Sequence, residues 1–338
     1  MRPQLLPLAL TMGEPAGIGG EIAIKAWLRR GEGVPPFYVI DNPERLAAVA
    51  YRGNWNIPIV AIDVVSDAGA AFAQALPVRP IGGRIRARPG HPDPADGPLV
   101  VRAIEMAVAD VRTGDAAAVV TNPISKEALY RTGFRYPGHT EFLAKLAGVE
   151  CDPVMMLAGP QLRVVPVTIH LPLREAVEKL SAPAIVHAGR VTHAALVRDF
   201  GVDMPVIAVA GLNPHAGEGG ALGSEDVEIV TPAIVALRRE GIDARGPLAA
   251  DTMFHAAARQ GYDAALCMYH DQALIPVKTL DFDAAVNVTL GLPFVRTSPD
   301  HGTAFDIAGS GLARPDSLIA ALKMAAAATE RRRTADAG

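Results

Sequence analysis

The 338-residue sequence has few cysteines and no long apolar run. Its two cysteines, Cys151 and Cys267, are too few for a disulfide framework, and such cysteine usage is typical of a reducing compartment. No apolar stretch approaches the roughly 20 residues that a membrane-spanning helix needs. The N-terminal segment is too short and too interrupted for a signal peptide. We therefore expect a cytoplasmic protein that has no membrane partner.

A strong charge of either sign is also missing. The formal net charge is −4, which indicates no surface for nucleic acid. Half of the residues are hydrophobic, so the chain can bury a large core, and its length favours two domains over one. Strand-like runs alternate with helix-like segments from end to end, which predicts an α/β fold with a largely parallel sheet.

The two usual glycine signatures of nucleotide binding are absent. A glycine-rich turn at 11–21 follows a predicted strand at 5–10 and precedes a predicted helix, an arrangement that presents backbone N–H groups to an anion. It contains neither the Gly-Lys-Ser/Thr of a Walker loop nor G-x-G-x-x-G. A turn that only lets the helix and strand pack is an equally good interpretation of these residues.

Three apolar runs, each typical of a buried strand, are followed closely by a histidine: 162–169 by His170, 206–212 by His215, and 264–268 by His270. Parallel strands of one sheet align their carboxyl ends, which is where ligands bind in open α/β sheets. We therefore expect the three imidazoles near one another. Three histidines with open positions are a common catalytic metal site. The alternative is that each is an unrelated loop histidine.

Seven motifs occur in order between Gly13 and about Leu322: GEPAGIG, YPGHTEFLA, VTIHLPL, LNPHAGEGG, AADTMF, MYHDQALIPVK and SPDHGTAFDIAG. Several long motifs in one order are far more specific than any single motif. Together they resemble the 4-hydroxythreonine-4-phosphate dehydrogenase family of pyridoxal phosphate biosynthesis.

The resemblance implies an isocitrate/isopropylmalate dehydrogenase-like fold, with two α/β subdomains and a central cleft, in a homodimer with shared active sites. We expect residues 1–125 plus 280–338 to form a terminal subdomain that contributes to dinucleotide binding. Residues 126–279 would form a middle subdomain with the metal site and the dimer interface.

The resemblance also assigns site residues. One divalent metal ion per site (zinc, magnesium or cobalt) would be bound by His170, His215 and His270 and completed across the dimer interface. The substrate contacts would be His139, Thr140, Lys278, Asn287 and Arg296. The loop at 298–309 would bind the adenosine end of NAD or NADP, with Asp300, Gly302, Thr303, Asp306 and Gly309 as its binding residues. Taken locally, His139 is better interpreted as a residue of a helix-capping region.

The implied reaction is oxidation of 4-phosphohydroxy-L-threonine to 2-amino-3-oxo-4-phosphooxybutanoate, which decarboxylates to 3-amino-2-oxopropyl phosphate. Asp251, Asp271 and Lys278 are unranked candidates for the base. Family siblings oxidise 4-phosphorylated threonate or erythronate, or a dicarboxylated cyclohexadiene diol, and residues 121–126 depart somewhat from the versions of either branch. Two other classes of enzyme are alternatives. The first is a phosphate acyltransferase, which would need no metal-binding histidines. The second is a metal-dependent hydrolase, which would leave the 298–309 loop without a role.

Overall fold

The computed structural model describes residues 6–136, 139–149 and 152–336, except for the side chains of residues 139, 140 and 336. Its strands are β1 (Leu8–Thr11), β2 (Phe37–Asp41), β3 (Ile59–Ala61), β4 (Leu76–Pro80), β5 (Val119–Thr121), β6 (Val154–Ala158), β7 (Arg163–Pro166), β8 (Val206–Ala210), β9 (Asp243–Leu248), β10 (Ala264–Cys267), β11 (Val286–Leu290) and β12 (Arg296–Pro299). Its α-helices are α1 (Gly19–Leu28), α2 (Pro43–Arg52), α3 (Asp67–Ala71), α4 (Gly97–Arg112), α5 (Lys126–Tyr130), α6 (His139–Ala147), α7 (Leu173–Lys179), α8 (Ala182–Arg198), α9 (Thr231–Arg239), α10 (Ala256–Arg259), α11 (His270–Asp281) and α12 (Asp316–Asp336). Short 3-10 turns lie at Arg30–Glu32 and Pro94–Asp96, a turn with left-handed backbone angles lies at Pro214–Gly220, and a π-helical turn lies at Asp226–Val230.

The chain divides into two compact units, as expected for this α/β protein. Unit 1 comprises Met1–Asp152 and Leu292–Glu330, and unit 2 comprises Pro153–Gly291 and Arg331–Gly338. These bounds differ from the ones expected above at both crossings. Helix α6 belongs to unit 1 because Phe142 and Leu143 are buried in the core of that unit. Strand β11 belongs to unit 2 because it pairs with β6 along its whole length.

Unit 1 contains six strands in the order β3-β4-β2-β1-β5-β12. The pairs for which the register is defined are parallel, with Leu8 opposite Phe37 and Ala9 opposite Val119. Strands β1, β2 and β5 are buried along their whole length, which is typical of a parallel sheet covered on both faces. The glycine-rich turn after β1 and the loop after β12 therefore leave the carboxyl edge of one parallel sheet.

Unit 2 has the strand order β11-β6-β7-β10-β8-β9. The β7, β10, β8 and β9 strands are parallel, whereas β6 runs antiparallel to both β7 and β11. The antiparallel part arises from a tight turn between β6 and β7, in which the Gly159 N–H donates to the Leu162 carbonyl at 2.9 Å. The three strands that precede the histidines are neighbours and parallel, so the predicted alignment of their carboxyl ends is confirmed.

No helix in the described ranges is long and apolar enough to cross a bilayer. Cys267 lies in β10, as predicted, and is fully buried with a free thiol. Burial raises the pKa of this thiol well above its usual range.

A buried ion pair fixes the end of the chain to unit 2. Arg332 Nε and Nη2 donate to the two carboxylate oxygens of Asp199 at 2.6 and 2.8 Å, and Arg198 Nε donates to the same carboxylate at 2.9 Å. The Asp199 side chain is 5% exposed and that of Arg332 is 13% exposed. Burial by itself raises the pKa of Asp199, but the bonds from Arg332 and Arg198 outweigh it and hold the pKa below its ordinary value.

We expect Arg332→Gln to lower the free energy of unfolding at pH 7 by about 2–4 kcal/mol, because it removes one partner of a buried charge pair. The pKa of Asp199 is lower in the folded state than in the unfolded chain, where it is near 4. The ion pair therefore stabilises the folded state fully above about pH 4, and this contribution disappears as the pH falls through the folded-state pKa. The difference between variant and parent should therefore shrink below about pH 4. Urea unfolding of the variant and the parent at pH 7, and again below about pH 4, measures this difference.

The matched control is Arg190→Gln, which breaks the exposed bidentate pair with Glu240. That change should cost under about 1 kcal/mol. Equal urea midpoints for Arg332→Gln and the parent at pH 7 would contradict the stabilising role of the buried pair.

Candidate active site

Two of the three predicted metal histidines lie side by side in unit 2. His170 follows β7 by four residues, and His270 is the first residue of α11, just after β10. Their ring centroids are 5.9 Å apart. Both line a cavity of about 300 Å³, together with Tyr269, Asp271 and the apolar side chain of Leu173. The paired strands β7 and β10 thus deliver both imidazoles to one cavity.

The tautomer of His270 follows from its neighbour. His270 Nδ1 lies 2.6 Å from Asp271 Oδ1. An ionised carboxylate only accepts hydrogen bonds, so Nδ1 carries a proton and donates, and in the neutral imidazole Nε2 is then the nitrogen with the lone pair that a metal ion would use. A carboxylate behind a ligand histidine is the usual outer partner in metal sites. The residues present therefore fit two imidazole ligands of one divalent ion.

His215 is exposed and lies in an unusual turn after β8. Residues 215–219 all have left-handed backbone angles, with φ between 44° and 77°. His215, Ala216 and Glu218 are not glycine, so this backbone is strained, and such strain is concentrated at functional sites. Within the described ranges, no three His, Cys, Asp or Glu side chains lie close enough to hold one metal ion. The union of His215 with the other two remains a prediction.

Asp226 holds the chain between β8 and His215. Its buried carboxylate accepts the backbone N–H groups of Leu212 at 2.7 Å and Asn213 at 3.0 Å, and the Asn213 side-chain amide at 3.1 Å. Asp226 begins a π-helical turn, a feature that is frequent near functional sites. Three acids, Glu218, Glu225 and Asp226, lie in residues 217–226, and the sequence alone does not show that Asp226 is the one that turns inward.

Gln272 connects the two strand ends that carry His215 and His270. Its buried side chain accepts from the Met268 N–H at 2.6 Å and donates to the Gly211 carbonyl at 2.7 Å. Met268 ends the run that contains β10, and Gly211 directly follows β8. Sequence reasoning missed this role, because the position of Gln272 within the Tyr-His-Asp-Gln cluster gives no sign of which side chain turns inward.

The base candidates occupy different places in unit 2. Lys278 lies on α11 two turns after His270 and lines a second cavity of about 390 Å³ with His270 and Asp271. Asp251 is exposed in the turn after β9. Asn287, which was predicted as a substrate contact and not as a base, lies on β11. Its buried Oδ1 accepts no hydrogen bond from the described residues.

Arg296 is a buried cation in unit 1. It begins β12, is 3% exposed, and donates from Nη2 to Thr121 Oγ1 at 2.6 Å. Burial lowers its pKa to about 10, so the guanidinium stays charged at neutral pH. Arg296 is therefore not a surface residue. Thr121, at the end of β5, was not predicted as its partner.

The predicted cofactor loop packs on the glycine-rich turn of unit 1. The Ile18 N–H donates to the Thr303 carbonyl at 3.1 Å, and a Cβ on Gly17 would lie 2.8 Å from the same oxygen. Gly302 faces open space, and Asp306 is exposed. Helix α6 begins at His139, but the side chains of His139 and Thr140 lie outside the described part of the structure.

Comparison with protein families decides the assignment. Residues 34–325 match the model of the pyridoxal phosphate biosynthetic protein PdxA. The chain belongs to the PdxA family. A 4-hydroxythreonine-4-phosphate dehydrogenase of Bradyrhizobium diazoefficiens is 58% identical over 330 residues, which cover 94% of this chain and 96% of that protein.

Solved structures agree with membership of the PdxA family. The crystal structure of 4-hydroxythreonine-4-phosphate dehydrogenase from Klebsiella pneumoniae has a TM-score of 0.87 and 38% identity, and covers 97% of this chain and 99% of that one. A terephthalate 1,2-cis-dihydrodioldehydrogenase from Burkholderia xenovorans has a TM-score of 0.64 and 28% identity, and covers 96% of this chain and 98% of that one.

These PdxA relatives are named dehydrogenases, so the chain is an oxidoreductase, and the two rival classes, acyltransferase and hydrolase, are set aside. Membership of a dehydrogenase family also indicates a nucleotide cofactor.

Within this PdxA-family chain, we expect Asp226→Asn to loosen the segment that leads to His215. An amide presents only one accepting oxygen, so one backbone N–H loses its acceptor, at a cost of about 1–3 kcal/mol. Hydrogen–deuterium exchange should accelerate at residues 211–217 while β10 stays protected. Glu228→Gln, an exposed change in the same π-helical turn, is the control. Unchanged exchange in Asp226→Asn would show that the carboxylate does not hold the segment.

Proposed function

We propose that the protein oxidises the 3-hydroxyl of 4-phosphohydroxy-L-threonine with NAD or NADP. The product, 2-amino-3-oxo-4-phosphooxybutanoate, decarboxylates to 3-amino-2-oxopropyl phosphate, a step of pyridoxal phosphate biosynthesis. The observation that carries the proposal is the 58% identity, over nearly the whole chain, to a relative named for this activity. A dinucleotide substrate and the buried free thiol of Cys267 suit a cytoplasmic enzyme.

The proposed metal ligands are His170, His215 and His270, with the site completed across a homodimer. The adjacency of His170 and His270, and the Asp271 carboxylate behind His270, support the proposal. When bound, a zinc, magnesium or cobalt ion would supply Lewis acidity at the substrate hydroxyl, and the nicotinamide would supply the hydride acceptor. The protein would position both histidines through β7 and β10, and Asp271 would hold the His270 tautomer.

The proposed proton acceptor is Lys278, among the three base candidates. Lys278 shares a cavity with His270, whereas the Asp271 oxygen already accepts the His270 proton and Asp251 lines neither of the cavities that contain His270. His139, Thr140, Asn287 and Arg296 are the further proposed substrate contacts, and Asp300, Gly302, Thr303, Asp306 and Gly309 are the proposed dinucleotide contacts.

The second candidate function is oxidation of a dicarboxylated cyclohexadiene diol. It is favoured only by the likeness to the Burkholderia xenovorans enzyme, at 28% identity. A phosphorylated threonate or erythronate is the third substrate class. All three can be compared in one assay, which follows reduced nicotinamide by its absorbance with one substrate at a time.

The first prediction concerns the substrate phosphate. Arg296 can meet a phosphate with two parallel N–H bonds, which Lys cannot reproduce. Arg296→Lys should lower kcat/KM for 4-phosphohydroxy-L-threonine by about 10- to 100-fold. Metal content and dinucleotide affinity should stay nearly unchanged. A dephosphorylated analogue should be a poor substrate of the parent and hardly worse with the variant.

Equal turnover of the phosphorylated and dephosphorylated compounds by the parent would reject a phosphate-binding site. Preferred turnover of the diol would favour the second candidate function instead.

The second prediction concerns the metal site. Replacing His170, His215 or His270 by Ala should lower bound metal, measured by mass spectrometry, and activity together. His187→Ala is the control, because His187 lies on α8 and lines neither cavity. Full metal occupancy with normal activity in any of the three variants would reject a shared ion.

Mixing the inactive variants pairwise identifies the subunit that supplies each ligand. A histidine contributed across the interface should restore activity with either of the other two variants, since one site of the heterodimer then stays intact. Two histidines from the same chain should not complement each other. No recovery in any pair, with subunit exchange demonstrated, would place all three ligands in one chain.

A further inference from the structure

A separate polar pocket lies in unit 1, and none of the site residues described so far lines it. Its volume is about 370 Å³. Three arginines, Arg45, Arg52 and Arg84, share its wall with Pro15 and Pro89, and Glu44 is the one acid among the described residues of that wall. The described wall of the pocket therefore carries three cations and one anion, and Arg45 has a further acid, Asp41, behind it.

Arg45 is the deepest of the three arginines. Its side chain is only 11% exposed, and its guanidinium packs against the first turn of α1, where a Cβ on Gly20 would lie 2.8 Å from Nη1. Arg45 Nε and Nη2 are buried and have no hydrogen-bond acceptor among the described residues. A guanidinium has five donors in a rigid fork, and leaving buried donors unused is costly.

The acids near Arg45 do not satisfy these donors. The fully buried Asp41 approaches Arg45 Nε at 3.6 Å, which is an ion pair but too long for a hydrogen bond. Glu14 is also buried, and its Oε1 accepts the Ala16 N–H at 3.1 Å. Arg45 therefore keeps hydrogen-bonding capacity for an anion that enters from the pocket.

Arg84 stands on a loop that the protein holds in place. The buried carboxylate of Asp96 accepts the backbone N–H groups of Arg86 at 3.0 Å and of Ala87 at 2.8 Å. These bonds fix the backbone on the C-terminal side of Arg84. Arg52, at the end of α2, and Arg84 are both exposed and lie toward the solvent side of the pocket.

The predicted cofactor loop touches the rim of this pocket. A Cβ on Gly309 would lie 2.8 Å from Pro89 Cβ and 3.7 Å from Arg52 Cδ. The neighbouring Gly90 N–H donates to Ala16 of the glycine-rich turn at 2.8 Å, and a Cβ on Gly90 would lie 2.9 Å from the Phe305 carbonyl oxygen. The 298–309 loop, the glycine-rich turn and the pocket lined by Arg45, Arg52 and Arg84 are thus in contact with one another in unit 1.

We propose that the arginine pocket, formed by Arg45, Arg52 and Arg84, binds a phosphate group of the nucleotide cofactor. The proposal rests on the proposed function in that it takes the 298–309 loop as the cofactor loop. Arginine is suited to phosphate because its planar fork makes two parallel charge-assisted bonds. The phosphate has two sources in a dinucleotide: the 2′-phosphate that distinguishes NADP from NAD, and the pyrophosphate bridge that both share.

Calorimetric titration of the parent with 5′-AMP, 5′-ADP and 2′,5′-ADP separates these sources without any turnover. If the pocket binds the 2′-phosphate, 2′,5′-ADP should bind about tenfold or more tightly than 5′-AMP. If it binds the pyrophosphate, 5′-ADP should show that advantage. Arg84→Gln should reduce the advantage by about threefold to tenfold, and Arg45→Lys by about tenfold, since Lys keeps the charge and loses the fork.

Arg84→Gln is the variant that should not disturb folding, because Arg84 is exposed. A neutral residue at Arg45, in contrast, would leave the buried Asp41 without its cation. Arg239→Gln, an exposed arginine of unit 2, is the matched control and should bind all three nucleotides as the parent does. Equal affinity of the parent for the three nucleotides, or an advantage that both pocket variants retain, would overturn the proposal. Failure of the parent to reduce NAD and NADP would instead reject the proposed function, whatever the titrations show.

Discussion

Parallel pairing of β7, β10 and β8 is the constraint on which the candidate active site depends. A parallel ladder fixes both the direction and the register of its strands, so whatever follows their carboxyl ends is brought to one edge. His170 and His270 follow two adjacent strands and lie with their rings 5.9 Å apart. These strands are buried on both faces, so the close packing of their side chains on each face holds the register. In this part of the chain, the positions of the site histidines therefore depend on the packing of the core.

Buried polar side chains complete what the ladder begins. Strand pairing places the ends of β8 and β10 near each other, but the residues beyond those ends leave the ladder and need other partners for their N–H and C=O groups. Asp226 and Gln272 supply these partners from inside the protein. In unit 1 the carboxylate of Asp96 does the same for the loop that carries Arg84. In each case a buried side chain, rather than a longer strand, fixes a segment of a proposed site.

Much of this arrangement could be predicted from the sequence. Apolar runs that end in histidine predicted strands and the edge at which they end, and long motifs in fixed order identified the family. The antiparallel strand β6 was missed because a fully apolar run such as Val154–Ala158 carries no sign of its direction. The bounds of the two compact units differ from the expected domain bounds because α6 and β11 are assigned to their units by long-range packing and pairing. Asp226, Gln272 and Thr121 were missed because nothing in the sequence tells a polar residue that turns inward from one that faces water.

The Gln272 side chain has a consequence for how motion passes through unit 2. An amide has its acceptor and its donor at one end of a short side chain, and here each is bonded to a different strand end, at 2.6 and 2.7 Å. The backbone at Gly211 therefore cannot move away from Met268 without breaking a buried bond. We therefore expect a displacement of Gly211 to shift the first turn of α11 as well, because Gln272 is bonded to both strand ends. Because Gln272 joins the ends of β8 and β10, we expect His215 and His270, which follow these ends, to move together when a ligand binds.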